Sequence, residues 1–339
     1  MNQHQLAPLC GLEEALIRLI GLYGTCQAAE KNVTDWFSGV EFEALRPEAS
    51  CLAAVIGADR DYAGVPRELI PRLQGIHRYV NTLNAGMTAG LCALGKVFRE
   101  AEIPMLLTGS TAVHLGYPEP PRHHIWQMQL SVPAADFSRA AVLAEKAGFS
   151  LEVTPWTIIA RKGNTQCVHI RKQTEPVRHT APVTVGSVSF QLPGSGELLV
   201  SLCESVFQLL SGTEPGAKLI PWLMDLRCVI GAGPDWTEAA AAAGRRGTAS
   251  QVRLVLELYG SLMPEGLPEE IMVLFGSEEH TLELVRLLPE YRSLRPGSAG
   301  LKRLWLSTRI RNVDSSGSTA VLFFKELCRA GVRKLTPGN

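Results

Sequence analysis

The chain has 339 residues, and its 33 lysines and arginines balance 33 aspartates and glutamates. That length predicts two or three structural units and a sizeable core, and the neutral balance excludes a global field drawing the chain to nucleic acid or an anionic membrane. Charges interrupt every apolar run short of bilayer length, and no repeat is apparent at periods of about 20–50 residues. Cys10, Cys26, Cys51, Cys92, Cys167, Cys203, Cys228 and Cys328 are scattered, with no Cys-x-x-Cys pair and no zinc spacing. That pattern predicts a reduced, cytoplasmic protein rather than a disulfide framework. The opening MNQHQLAPLCGLEEAL lacks the basic flank and apolar core of a signal peptide.

In chain order, Leu12, Leu16, Leu19 and Ile20 mark a short amphipathic helix over 12–23. Thr34 or Asp35 is a candidate N-cap and Trp36 a core anchor. These elements form an N-terminal helical region, 1–68. From Leu69 the apolar positions run Leu73, Ile76, Val80, Leu83, Met87, Leu91, Leu94 and Phe98. Steps of three and four over that length predict a long helix over 69–101. It delivers the chain into an α/β domain, 69–194.

That domain is organised around 104–132. The apolar run Met105-Leu106-Leu107 predicts a strand, and Gly109-Ser110-Thr111 is a small-residue turn that can start a helix. After a proline-punctuated loop, Gln127-Met128-Gln129-Leu130-Ser131-Val132 alternates at period two. Met128, Leu130 and Val132 share one face and Gln127, Gln129 and Ser131 the other, the latter read as solvated. A helix started by Pro133-Ala134-Ala135-Asp136 runs through Ala147 and is closed by Gly148. Strands are then predicted at Leu151–Thr154, Trp156–Arg161, Gln166–Arg171 and Val183–Leu192, the domain ending near Pro193-Gly194. The rest, 195–339, reads as a helical domain. Leu198 to Leu210, Lys218 to Ile230, a helix capped by Asp235, a long helix through Leu258 and a last helix over 320–330 compose it. Residues 291–317 look irregular. Trp222, Asp225 and Trp236 are assigned to core and capping. The element order is that of an α+β fold.

Strand, Gly-Ser turn, short helix, then a strand with paired polar positions resembles the nucleotidyltransferase fold of the DNA polymerase β superfamily. Within it the chain is similar to a bacterial family of mostly uncharacterised nucleotidyltransferases. That family has a small catalytic domain between helical N- and C-terminal parts. The residues that carry the resemblance are Gly109, Tyr117-Pro118, Gln127 to Val132, Trp222-Leu223-Met224-Asp225-Leu226 and Asp235-Trp236, over roughly 70–270. It implies that Gly109, Ser110 and Thr111 face a triphosphate. It also implies that carboxylates at two positions of the second strand and one on a neighbouring strand hold magnesium.

In this chain those positions are Gln127, Gln129 and Cys167, and neither Arg122 to Ala135 nor Val153 to Thr174 contains an Asp or Glu. Magnesium prefers anionic oxygen, and phosphoryl transfer depends on cations that neutralise the transferring phosphate. Two neutral amides and a thiol remove that support, which predicts a catalytically degenerate member. Arg122, Arg161 and Arg171 with the Gly-Ser turn remain candidates for binding a nucleotide or other phosphorylated molecule. His123, His124 and His169 are the candidates for a replacement metal site, together with His114 and Cys167. A protein partner is the other expected role. An active transferase with rearranged ligands, taking an acid such as Asp136, is the alternative, and only it requires magnesium.

Overall fold

The computed structural model describes residues 53–58, 65–118, 120, 123–173, 177–210, 216–262, 267–275, 279–284, 287 and 310. The expected helix over 12–23, the cap at Thr34 or Asp35, Trp36, Arg122, nearly all of 291–317 and the helix over 320–330 lie outside them.

The long apolar period becomes α1, Ile70–Glu100, entered by one 3-10 turn at Arg67–Leu69 and with Pro71 in its first turn, where a missing N–H costs nothing. Its core-facing residues are Leu73, Val80, Met87, Leu91, Leu94 and Phe98. The chain then forms β1, Leu106–Leu107; α2, Gly109–Gly116; β2, Met128–Pro133; and α3, Phe137–Lys146. β3, Ser150–Val153; β4, Thr157–Lys162; and β5, Gln166–Gln173 follow.

The segment expected to be one strand, Val183–Leu192, is instead a hairpin of β6, Thr180–Val185, and β7, Val188–Pro193. Val185 pairs with Val188 across a two-residue loop. Gly186 enters that loop with φ +59°, the positive first angle that a Gly-Ser hairpin turn accepts without steric cost.

The described strands make one seven-stranded mixed sheet in the order β3-β4-β5-β2-β1-β7-β6. β1 lies antiparallel to β2, with Leu107 opposite Leu130, and parallel to β7. β2 runs parallel to β5, and β3, β4 and β5 form an antiparallel meander. α1 and α3 pack on the face that carries Met128, Leu130, Val132, Val168 and Ile170, all without exposed surface.

The C-terminal helices are α4, Ser195–Leu210; α5, Gly216–Gly231; α6, Trp236–Arg246; α7, Ala249–Leu262; and α8, Glu269–Val273. Asp235 caps α6, its carboxylate accepting from the Glu238 N–H at 2.9 Å. α4 is tied to α6 through Glu197, which pairs with Arg245 at 2.5 Å and with Arg246, while Arg246 also reaches Glu204 at 3.2 Å. The architecture is α+β: a mixed sheet with flanking helices.

Candidate functional site

The strand register decides which polar side chains meet. Gln129 is opposite His169, and Ser131 is opposite Arg171, across the β2–β5 pair. On the next strand Arg161 is opposite Cys167, Ile159 opposite His169 and Thr157 opposite Arg171. Alternation therefore puts Gln129, Ser131, Cys167, His169, Arg171 and Arg161 on one face. Gln127 sits one residue before β2, in line with Cys167. The three positions marked by the resemblance, Gln127, Gln129 and Cys167, thus lie together on this polar face.

Exposure falls across it. Arg161 and Arg171 are exposed, Cys167, His169 and Gln127 are half-buried, and Ser131 and Gln129 are buried. The reading of Gln129 as a solvated side chain is therefore corrected: it is 3% exposed. Period two fixes which face a residue takes, but the cover comes from α2, whose Gly109 stands against the Gln129 side chain, with Trp222 of α5 beside Gly109.

The Gly-Ser turn is buried as well, not at the mouth of a cleft. Gly109, Ser110, Thr111, Ala112 and Val113 are all buried in α2. The turn is bolted to β2 by its backbone and by Thr111. The Thr108 N–H donates to the Gln129 carbonyl at 3.1 Å, and the Gln129 N–H donates to Thr111 Oγ1 at 2.6 Å. Gly109 has φ +55°. A Cβ there would lie 2.3 Å from Gln129 Oε1 and 3.4 Å from the Trp222 ring. Only glycine fits the left-handed angle and the space together.

Ser110 donates a short hydrogen bond to Asp225 Oδ2. The other oxygen of Asp225 lies 2.9 Å from His123 Nε2. His123 Nδ1 lies 3.1 Å from the His124 carbonyl. Both ring nitrogens thus face acceptors, which requires a proton on each, so His123 is an imidazolium. Burial pulls its pKa down, but the Asp225 charge and the hydrogen bonds to Asp225 and the His124 carbonyl carry it above the ordinary histidine value.

The loop is pinned from the other side by Asn84 of α1. Its amide donates to the His123 carbonyl and its Oδ1 accepts from the Ile125 N–H, both at 2.9 Å. α1, the loop, α2 and α5 converge on one buried polar knot. Asp225, a core and capping residue by its sequence, is 1% exposed and is also the partner of the Gly-Ser turn. An acid flanked by Leu223 and Leu226 in an apolar helix was the available signal, since such an acid needs a buried partner.

The open side carries two guanidinium groups, Arg161 and Arg171, each with one carboxylate near it. Burial first, then Arg171 and Arg161, hold the His169 pKa below its usual value, so His169 is neutral at pH 7 and can accept or donate one bond. Burial pushes the Cys167 thiol up, partly offset by Arg161. Arg161 pairs with Glu152 of β3 at 3.3 Å, and Glu204 of α4 faces Arg171.

The candidate metal ligands are not brought together. His123 belongs to Asp225, and His124 stands edge-on to Trp126 with centroids 4.4 Å apart. Burial and the His123 charge lower the His124 pKa. Among the described residues no group of three His, Cys, Asp or Glu side chains is placed to hold a metal ion.

Magnesium does not fit the polar face either. The three positions marked by the resemblance are two amides and a thiol, and both oxygens of Asp225, the carboxylate at the turn, are engaged. Asp136 lies beyond the far end of β2, beside α3, 3.8 Å from Arg139. A six-residue strand separates it from Gln127, roughly 20 Å at the rise of an extended chain.

No protein-family model matches the chain, and no curated protein matches its sequence. Among solved structures it is similar to the antibiotic-resistance factor ANT(2'')-Ia, with 12% identity and a TM-score of 0.36. The match covers 47% of this chain and 91% of that one. A similarity this low assigns neither a family nor an activity. Among the described residues no helix is long and apolar enough to cross a membrane.

Proposed function

We propose that the chain is a nucleotidyltransferase-fold protein that has lost metal-dependent transfer and binds a phosphorylated small molecule, such as a nucleotide, on the polar face of β2, β5 and β4. In this reading it acts in the cytoplasm as a pseudoenzyme. The observation that carries it is the content of that face: Gln127, Gln129 and Cys167 where the resemblance implies carboxylates, with Arg161, His169 and Arg171 on the strands beside them. Arg161, beside Glu152, and Arg171, beside Glu204, can turn their guanidinium groups to phosphate oxygens, which Arg recognises in paired hydrogen bonds. His169, neutral, supplies a further donor. The alternative of an active transferase with rearranged ligands loses support because Asp136 is remote and Asp225 is fully engaged.

Calorimetry with pyrophosphate and nucleoside triphosphates in the presence of a chelator tests the reading. The expected result is binding that survives the chelator, weakens with salt and is reduced in Arg171→Ala. Metal-dependent release of pyrophosphate from a nucleoside triphosphate by the pure protein would overturn the loss of transfer. The absence of any phosphate binding at low salt would overturn the ligand.

A further inference from the structure

At the closed end of the polar face several anion-seeking groups converge on a single carboxylate of the protein itself. The eight-residue α2 begins at Gly109, where unpaired N–H groups and the helix dipole favour negative charge. Ser110 brings a hydroxyl and His123 a positive ring. The group that meets both is Asp225 of α5, one oxygen to each. Beside them the Gln129 side chain, 3% exposed, makes no hydrogen bond among the described residues, and its Oε1 is aimed at Gly109. Trp222, three residues before Asp225 on α5, closes over Gly109 from another side.

We propose that Asp225 is a resident anion. α5 holds its carboxylate in a built anion site at the start of α2, and an external phosphate reaches Gly109, Ser110 and His123 only by displacing Asp225 and Trp222 together. The proposal rests on the phosphorylated-ligand reading above and supplies its regulation: α5 is an autoinhibitory cover. A carboxylate and a phosphate both accept from a hydroxyl and an imidazolium, so they compete for one place. The Gln129 amide makes no bond to Asp225; turned about its last bond it offers its N–H2, in place of Oε1, to a larger, tetrahedral anion. A rigid structural lock would not need a spare buried amide.

The test compares the full wild-type chain with Asp225→Ala in thermal melts at constant ionic strength, in chloride, formate or inorganic phosphate. Formate and phosphate are expected to raise the melting temperature of Asp225→Ala by several degrees more than that of the wild type, because an anion that binds only the folded form stabilises it. Equal responses overturn the proposal. In calorimetry with chelator, pyrophosphate should bind Asp225→Ala about tenfold more tightly than the wild type, a difference of about 1.4 kcal/mol.

If Asp225→Ala does not fold, Trp222→Ala keeps the charge pair and thins the cover. Tighter pyrophosphate binding by that variant supports the proposal, and unchanged affinity overturns it. Pyrophosphate bound alike by all forms removes the resident anion and leaves the proposed function standing. Formate rescue of Asp225→Ala, with no phosphate compound bound by the wild type, keeps the built site and removes the proposed function.

Discussion

On one face of β2, β5 and β4 stand Met128, Leu130, Val132, Val168, Ile170, Ile158 and Ala160, each without exposed surface. On the other, from the alternate positions of the same strands, stand Gln129, Ser131, Cys167, His169, Arg171 and Arg161. The apolar face is uniform, covered throughout by α1 and α3. The polar face is graded: shut at β2, where α5 lies over the Gly-Ser turn, and open at β4. Burial on the first face follows from the hydrophobic effect alone. On the second face burial alone does not hold polar groups, and at its shut end Ser110 and His123 find their partner, Asp225, in a distant part of the chain.

The strongest way to break this contrast is to remove a partner at the shut end. Asp225→Ala strands a buried imidazolium and should cost about 3–5 kcal/mol in chemical denaturation, the penalty for breaking a buried ion pair from one side. Replacing His123 and Asp225 together by apolar residues of similar volume should cost much less than the sum of the single changes. Additive losses would mean that the two side chains are not coupled.

Adjacent residues of β5 give the next contrast. Ile170→Ala empties a fully buried position and should cost about 2–5 kcal/mol. Arg171→Ala, one residue on and exposed, should stay within about 0.5 kcal/mol of wild-type stability while reducing pyrophosphate affinity. Matched stability losses would show that the polar face is structural.

The apolar face was legible in the sequence, because local period reports it: α1 and the alternation of β2 needed only the apolar spacing. The β6–β7 hairpin was not: apolar content alone makes Val183–Leu192 one strand, where the chain turns back on itself. Gly186-Ser187 is the turn signal that the apolar run conceals. What period could not supply was the cover. Gln129 looked solvated because its own strand does not say that Trp222 and Asp225 will arrive above the Gly-Ser turn beside it. Likewise His123 resembled a metal ligand until Asp225, 102 residues away, was seen beside it. Long-range polar partners leave no periodic trace, only a mark at each end: an acid in an apolar helix and a histidine in a loop.

The shut end should also report pH. Because His123 is raised in the folded chain, its contribution to stability is full below the unfolded value of about 6.5 and is lost as pH rises through the folded value. His124 and His169 are lowered and act in the opposite sense, their contribution falling away as pH drops below the unfolded value. The wild-type profile mixes the two, so the measurement is the difference between wild type and His123→Gln in urea unfolding across pH 5 to 9. It should be largest at the acid end and shrink towards the alkaline end. A flat difference would mean that His123 does not carry a proton in the folded chain.

The smallest expected effect on stability lies at the open edge. Arg161 and Glu152 are 49% and 62% exposed and 3.3 Å apart, and an exposed pair of this kind contributes about 0–1 kcal/mol. Glu152→Gln should therefore leave urea unfolding almost unchanged. Its effect on binding should be larger, because Glu152 is an acid whose partner stands on the polar face, competing with any external anion for the Arg161 guanidinium. Removing that charge frees Arg161 and makes the edge more positive, so pyrophosphate should bind a few-fold more tightly. The gain should shrink as salt rises, since charges at an open edge are screened over a Debye length of about 8 Å at physiological ionic strength. Arg161→Gln should do the reverse, with equally little change in unfolding. If both variants leave pyrophosphate affinity unaltered at low salt, Arg161 takes no part in binding and the ligand's anion sits nearer Arg171, deeper towards α4.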